Sequence, residues 1–197
     1  VLLPPPPSLK IISLLPSEFS TLELGLMKTG LDKVLAGPHT GGTLFAPSNA
    51  AFAKLGPKVN AFLFSKYGEK HLKALLEYHI VANKTMYSDA YFFGDKDDAE
   101  MDGEPWKEGR GFHVDLPTLS KGKTLRVDIQ RWGRLMTVLI NGFNTVQVLD
   151  GIAEDGVIHV LSNVLIPPVR ANGKEWMGEE MSVDEFKGHL VDYVGEL

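Results

Sequence analysis

The sequence predicts an α+β fold, and three observations carry that expectation. The first eighty or so residues show apolar side chains at helical spacing, whereas residues 124–161 alternate apolar and polar side chains as half-buried strands do. Helices precede strands without regular alternation, which argues against a doubly wound parallel sheet. The length of 197 residues, with 44% apolar and 23% charged side chains, suits one domain with a real core.

Pro4 to Pro7 form a short polyproline run, expected to be extended and to lead into the domain. Pro16-Ser17-Glu18 then marks a helix start, with Phe19, Leu22 and Leu26 on one face and Gly30 as the stop. Leu31 to Ala36 forms a second short helix, closed by Gly37-Pro38. Thr43 to Ala46 is predicted as a strand. Ser48 can cap the following helix, because its hydroxyl accepts from backbone N–H groups that a helix start leaves unpaired. Helices are expected over Lys58 to Tyr67 and Glu69 to Tyr78, separated by Gly68.

Beyond residue 79 the pattern becomes extended. Thr124 to Gln130, Leu135 to Ile140, Thr145 to Leu149 and Val157 to Leu161 are predicted strands, with Asn141-Gly142 as a tight turn. Ser182-Val183-Asp184-Glu185 is a capping box, and Val183, Phe186, Leu190 and Val194 follow on one helical face. That stripe is expected to dock onto its own domain.

Three segments in order, Thr43 to Phe52 with its Phe-Ala-Pro-Ser-Asn core, Tyr78-His79-Ile80-Val81, and Gly156 to Leu161 continuing to Pro167, resemble the fasciclin-like (FAS1) family. The resemblance runs from about Leu9 to Pro168. It divides the chain into a proline-rich segment (1–8), a single FAS1 domain (9–169) and a C-terminal extension with the capped helix (170–197). It implies helices packed on a mainly antiparallel β-wedge or sandwich. Leu15 to Leu22 and the C-terminal helix look most like fungal members of the family.

The resemblance also implies a function: a non-catalytic adhesion or binding module, secreted or on a cell surface, for a protein or polysaccharide ligand. A vacuolar or endomembrane factor in membrane traffic is an alternative, and a polysaccharide or small-ligand binder is another. The family's Tyr-His segment is linked to receptor binding, so Tyr78 and His79 are the carried-over candidates. Val148 to Ile152 stands where some animal members carry a Glu-Pro-Asp-Ile-Met-type integrin segment, and only Asp150 matches it. His79 and His159 sit among apolar residues and are expected to be neutral and hydrogen-bonded inside the core.

Other residues suggest sites directly. Asn83-Lys84-Thr85 is an N-glycosylation acceptor. Lys107, Arg110, Lys121, Lys123, Arg126, Arg131 and Arg134 form a candidate basic patch for an anionic polysaccharide or lipid headgroup. Trp106 and Trp132 add flat apolar surface that could stack on sugars beside Arg126. The acidic run from Asp95 to Glu104 mimics part of a calcium loop but offers Gly109 where the bidentate Glu belongs. A solvated loop is the expectation there.

The sequence carries no Gly-x-Ser-x-Gly, P-loop, dinucleotide or His-Glu-x-x-His motif, so no catalytic residue, metal site or cofactor is predicted. There is no cysteine, which removes disulfides and thiolate chemistry. A net charge of -5 without a basic tract speaks against nucleic acid. No apolar stretch reaches the ~18–20 residues that cross a bilayer, so membrane association would need a segment outside this chain.

Overall fold

The computed structural model describes residues 3–37, 41–88, 111–132, 135–167 and 181–194. Among the described residues seven strands form one sheet in the order β2-β1-β7-β6-β5-β4-β3, where β2 is Ile80–Ala82, with helices packed on the β1/β7 end. β1 (Gly42–Pro47) and β7 (Gly156–Leu161) run parallel; the other pairs are antiparallel. β3 (Gly111–Pro117), β4 (Thr124–Trp132), β5 (Leu135–Ile140) and β6 (Asn144–Ala153) form a meander that leads into β7. β6 bends at irregularities between Val146 and Gly151, so its first residues pair with β5 and its later ones with β7. Such irregularities raise local twist, and here they open the sheet into a wedge.

Period-two alternation along β1 feeds two separate cores. Leu44 and Ala46 face a helical core that also contains Phe19, Leu22, Leu26, Phe52 and Leu75. Phe45 points the other way, into the wedge, with Val127, Ile129, Val138, Ile140 and Leu161. β1 is apolar on both faces because both faces are covered.

The helices arise for local reasons. α2 (Pro16–Thr29) starts with proline at its first turn, where no N–H is needed, and ends at Gly30 in the left-handed region (φ 72°). α3 (Leu31–Leu35) follows at once. Ser48 caps α4 (Asn49–Ala53) by accepting from the Ala51 N–H at 3.1 Å. α6 (Glu69–Tyr78) buries Leu72, Leu75 and Leu76. α7 (Val183–Leu190) has the full capping box on Ser182 and Glu185, and it packs Phe186 and Leu190 into the helical core.

Three local expectations need correction. β3 was not anticipated, although Phe112-His113-Val114-Asp115-Leu116 alternates apolar and polar side chains; Val114 and Leu116 are buried, and seven positions pair with β4. α1 (Ser8–Leu14) begins earlier than the periodic pattern, because the Asp155 carboxylate accepts from the Ser8 N–H (2.7 Å) and hydroxyl (2.8 Å). α5 spans Gly56–Leu63 rather than Lys58 to Tyr67. The chain doubles back after it so tightly that a side chain at Gly68 would collide with the Phe62 carbonyl. Pro47 is the last residue of β1, opposite Leu161, and Ser48 then caps the next helix.

Two buried histidines tie these strands to their neighbours. The His79 Nδ1–H donates to the Leu75 carbonyl (2.8 Å), and its Nε2 accepts from the Leu165 N–H (2.9 Å). His159 is bonded in the opposite tautomer: Nε2–H donates to the Met86 carbonyl (2.7 Å) and Nδ1 accepts from the Asp150 N–H (3.3 Å). Its ring stacks on Phe45 at 5.5 Å. Each ring is fully satisfied only when neutral. A second ring proton would face an N–H donor and lose an acceptor.

Gly156 has φ 148°, and a side chain there would strike the Gly42 backbone, so Gly156→Ala should cost roughly 2–4 kcal/mol in urea unfolding. Gly30→Ala, with open space around its Cβ position, should cost only about 1 kcal/mol.

His159→Ala should lower stability by roughly 1–3 kcal/mol through the Met86 carbonyl and Asp150 N–H it leaves unpaired. A variant with unchanged urea midpoint would contradict the core assignment.

Burial holds the His79 pKa down at about 4, against a backbone bond that opposes the shift, and burial lowers His159 as well. The unfolded chain therefore binds more protons than the folded one between pH 6.5 and about 4. Stability should be full above pH 6.5 and fall as pH drops through that window, by on the order of 3 kcal/mol for His79 alone. Urea midpoints from pH 7 to pH 5 test this; a flat profile would contradict it.

Candidate functional site

The Tyr-His segment lies where α6 turns into β2 (Ile80–Ala82). Apolar residues one turn earlier pull this helix end inward, and the two motif side chains follow. Tyr78 is 1% exposed and His79 is fully buried. The Tyr78 hydroxyl accepts from the Asn141 side-chain amide at 3.0 Å, and its ring meets Tyr193 edge-on at 5.3 Å. Burial pushes the phenol above its usual range, with the Asn141 bond opposing. Neither side chain meets solvent, so the expected role of Tyr78 and His79 as direct contacts does not fit this geometry. Tyr78 meets two half-buried residues, Asn141 and Tyr193, and through them touches the surface.

Asn83 follows β2 and is exposed, with φ 60° and its N–H bonded to the Gly41 carbonyl at 3.1 Å. The next five residues lie along β1, stitched to it by side chains. The Thr43 hydroxyl donates to the Lys84 carbonyl (2.8 Å) and accepts from the Met86 N–H (2.9 Å). Thr85 accepts from the Gly42 N–H at 3.1 Å. Ser88 ends the run, with both its N–H and its hydroxyl on the Asp150 carboxylate. The glycosylation acceptor therefore sits at an accessible bend at the head of a firmly held segment.

The predicted basic patch divides in two. Arg126 is exposed on β4 but paired, with Nε and Nη2 each 3.1 Å from an Asp128 oxygen. His113 shares that carboxylate at 3.1 Å and lies 3.7 Å from Asp115. Such an exposed cluster adds little stability and leaves Arg126 largely neutralised. Trp132 closes the described part of β4, its backbone paired with Leu135. Trp106, Lys107, Arg110, Arg134 and the acidic run from Asp95 to Glu104 lie outside the described residues.

Lys121 and Lys123 stand instead in the β3–β4 turn, facing α6. Here the structure forms a groove of about 420 Å³, with Lys70, Lys73 and Glu77 on the helix wall. Lys121 on the turn and Asp192 and Tyr193 after α7 form the other wall. The Lys123 ammonium lies 4.4 Å from the centre of the Tyr193 ring, within cation–π range. Burial raises the Glu77 pKa, while Lys73, 4.0 Å away, works against that shift. Lysines outnumber acids along the groove, and an aromatic ring floors it, so it suits a polar ligand bearing negative charge.

Sequence reasoning missed this groove because its walls come from three separated segments. The signal was present in part: Lys70, Lys73 and Glu77 fall on one helical face. Among the described residues, no three His, Asp or Glu side chains are arranged to hold a metal ion. No described helix is long and apolar enough to cross a membrane.

Comparison with known proteins agrees with the fold. The Fasciclin domain model matches residues 17–167. Aurofusarin biosynthesis cluster protein S of Gibberella zeae is 36% identical over 193 residues, covering 90% of this chain and 47% of that protein. An uncharacterized protein of Synechocystis sp. is 27% identical over 160 residues, covering 81% of this chain and 98% of that protein. The FAS1 domain pair of the insect cell adhesion molecule Fasciclin I superposes with a TM-score of 0.63 at 20% identity, covering 82% of this chain and 51% of that one. The chain thus spans about half the length of its fungal relative and of the insect domain pair. Family match and α-on-wedge architecture coincide, and the chain belongs to the fasciclin domain family.

Proposed function

We propose that this chain is a non-catalytic binding module of the adhesion type, secreted or displayed at a cell surface, with the α6–hairpin groove as its contact surface. Fasciclin domains are generally adhesion or binding domains, typically extracellular and non-catalytic. One observation favours the groove: lysines from two elements gather beside Tyr193 in a chain whose net charge is -5. The ligand this suits carries carboxylate or sulfate groups, on a polysaccharide or on an acidic protein surface. Tyr78 and His79 act from beneath, by fixing Tyr193 and the end of α6.

A second reading draws on the fungal relative, whose name places it in a biosynthesis cluster. On that reading the domain serves a biosynthetic role rather than adhesion.

The groove is tested by the Lys70→Glu, Lys73→Glu, Lys121→Glu triple variant against a uronate polysaccharide. Binding should weaken by about tenfold or more at 0.15 M salt, since each reversal replaces attraction by repulsion, while melting stays close to the parent. Unchanged affinity removes the groove from the reading. The location is tested separately: the secreted protein should lose an endoglycosidase-sensitive mobility shift in Asn83→Gln. An unglycosylated cytosolic protein would defeat the extracellular reading, and a vacuolar or endomembrane signal would redirect it.

A further inference from the structure

A second concavity lies between α3 and the β2-β1-β7 end of the sheet. It encloses about 220 Å³, and its walls include Val34, Leu35, Leu44, Ile80, Val81 and Val157. Val34 is 48% exposed and Asn83 is exposed, so the space opens to solvent there. Glycines make room at one end. Gly41, Gly42 and Gly156 all line it, and the Gly42 backbone lies where a Gly156 side chain would have to go.

The polar side chains of the walls are already engaged. Thr43 bonds to the Lys84 carbonyl and the Met86 N–H. Ser8 and Asp155 bond to each other through both carboxylate oxygens. A charged occupant would lose hydration here, and among the described lining residues the one charged group, Asp155, is already bonded to Ser8, so burial of charge is costly. An uncharged apolar occupant releases water from aliphatic walls and loses nothing.

Volume sets the size. A cavity of about 150 Å³ with aliphatic and aromatic walls holds one benzene, so by proportion 220 Å³ holds roughly nine heavy atoms. That is a fused bicyclic ring or a short branched hydrocarbon. We propose that this cleft is a binding site for one small, uncharged, apolar molecule of bicyclic size. The proposal goes beyond the adhesion reading and does not depend on the lysines of the groove; among the described residues the two concavities share Leu119.

The test uses the full chain with indole as probe and benzoate as an anion of similar size, followed by amide NMR shifts and calorimetry. Indole should bind saturably and shift the Gly42 and Val157 amides, and benzoate should bind about tenfold more weakly or not at all. Val34→Trp, on an exposed helix face, should fill the mouth and weaken indole about tenfold or more; Val34→Lys is the alternative if the first variant aggregates. Val191→Trp, exposed elsewhere, should bind as the parent does. No saturable binding up to the solubility of indole overturns the proposal. Equal binding by both Val34 variants, or by benzoate, also overturns it.

Discussion

The parallel pairing of β1 with β7 is the constraint on which the rest of the structure depends. Thr43 to Pro47 lie in register with Val157 to Leu161, although more than a hundred residues separate them. Closing so long a loop carries an entropic cost, and a parallel ladder is slightly less stable per residue than an antiparallel one. The pair holds because both strands are buried on both faces. Leu44, Ala46 and Ile158 enter the helical core, while Phe45, His159 and Leu161 enter the wedge. Helices and meander are therefore attached to one shared two-strand seam. A change that disturbs the seam, as a side chain at Gly156 would, acts on both cores together.

Burying the seam leaves backbone groups beside it without water, and the motif side chains satisfy them. His79 bonds to a helix carbonyl on one side and the Leu165 N–H on the other; His159 reaches the Met86 carbonyl and the bulged Asp150 N–H. Thr43 and Ser48 do the same for the segment after β2 and for the α4 start. Neutral imidazole suits this work because it is both donor and acceptor within one rigid ring. The family motifs thus form one hydrogen-bonded frame, and the lysines of the α6 groove lie outside it.

This division explains what was legible in the sequence. Caps, stops and strong alternation were readable because each depends on a few neighbouring residues: Ser48, Gly30, the Ser182–Glu185 box, and the apolar positions of β4. β3 carried the same local alternation, Val114 and Leu116 against His113 and Asp115, and was passed over. The early start of α1 was not readable, since the group that caps it, Asp155, is 147 residues away. The same reason hid both concavities. Lys70, Lys121 and Tyr193, or Val34, Ile80 and Val157, are ordinary residues in their local settings and become walls only through the fold. The histidines were readable as core groups, but their opposite tautomers were not, because those depend on which backbone group lies at each nitrogen.

Asp150 shows how far residue identity alone can mislead. It matches the Asp of an integrin-type segment in animal relatives, and on sequence it is the surviving element of that site. In the structure it sits in the bend of β6 at φ 59°, a conformation that Asp tolerates better than most residues. Its N–H bonds to His159, and both its carboxylate oxygens take Ser88. One side chain thus fixes the bulge, the buried histidine and the end of the segment leaving β2. A carboxylate held by two donors and needed for a bend is poorly placed to serve a partner's cation as well. Its presence in this chain is accounted for by the frame. An adhesion role must then be sought on surfaces whose residues the frame does not use, and the lysine groove is such a surface.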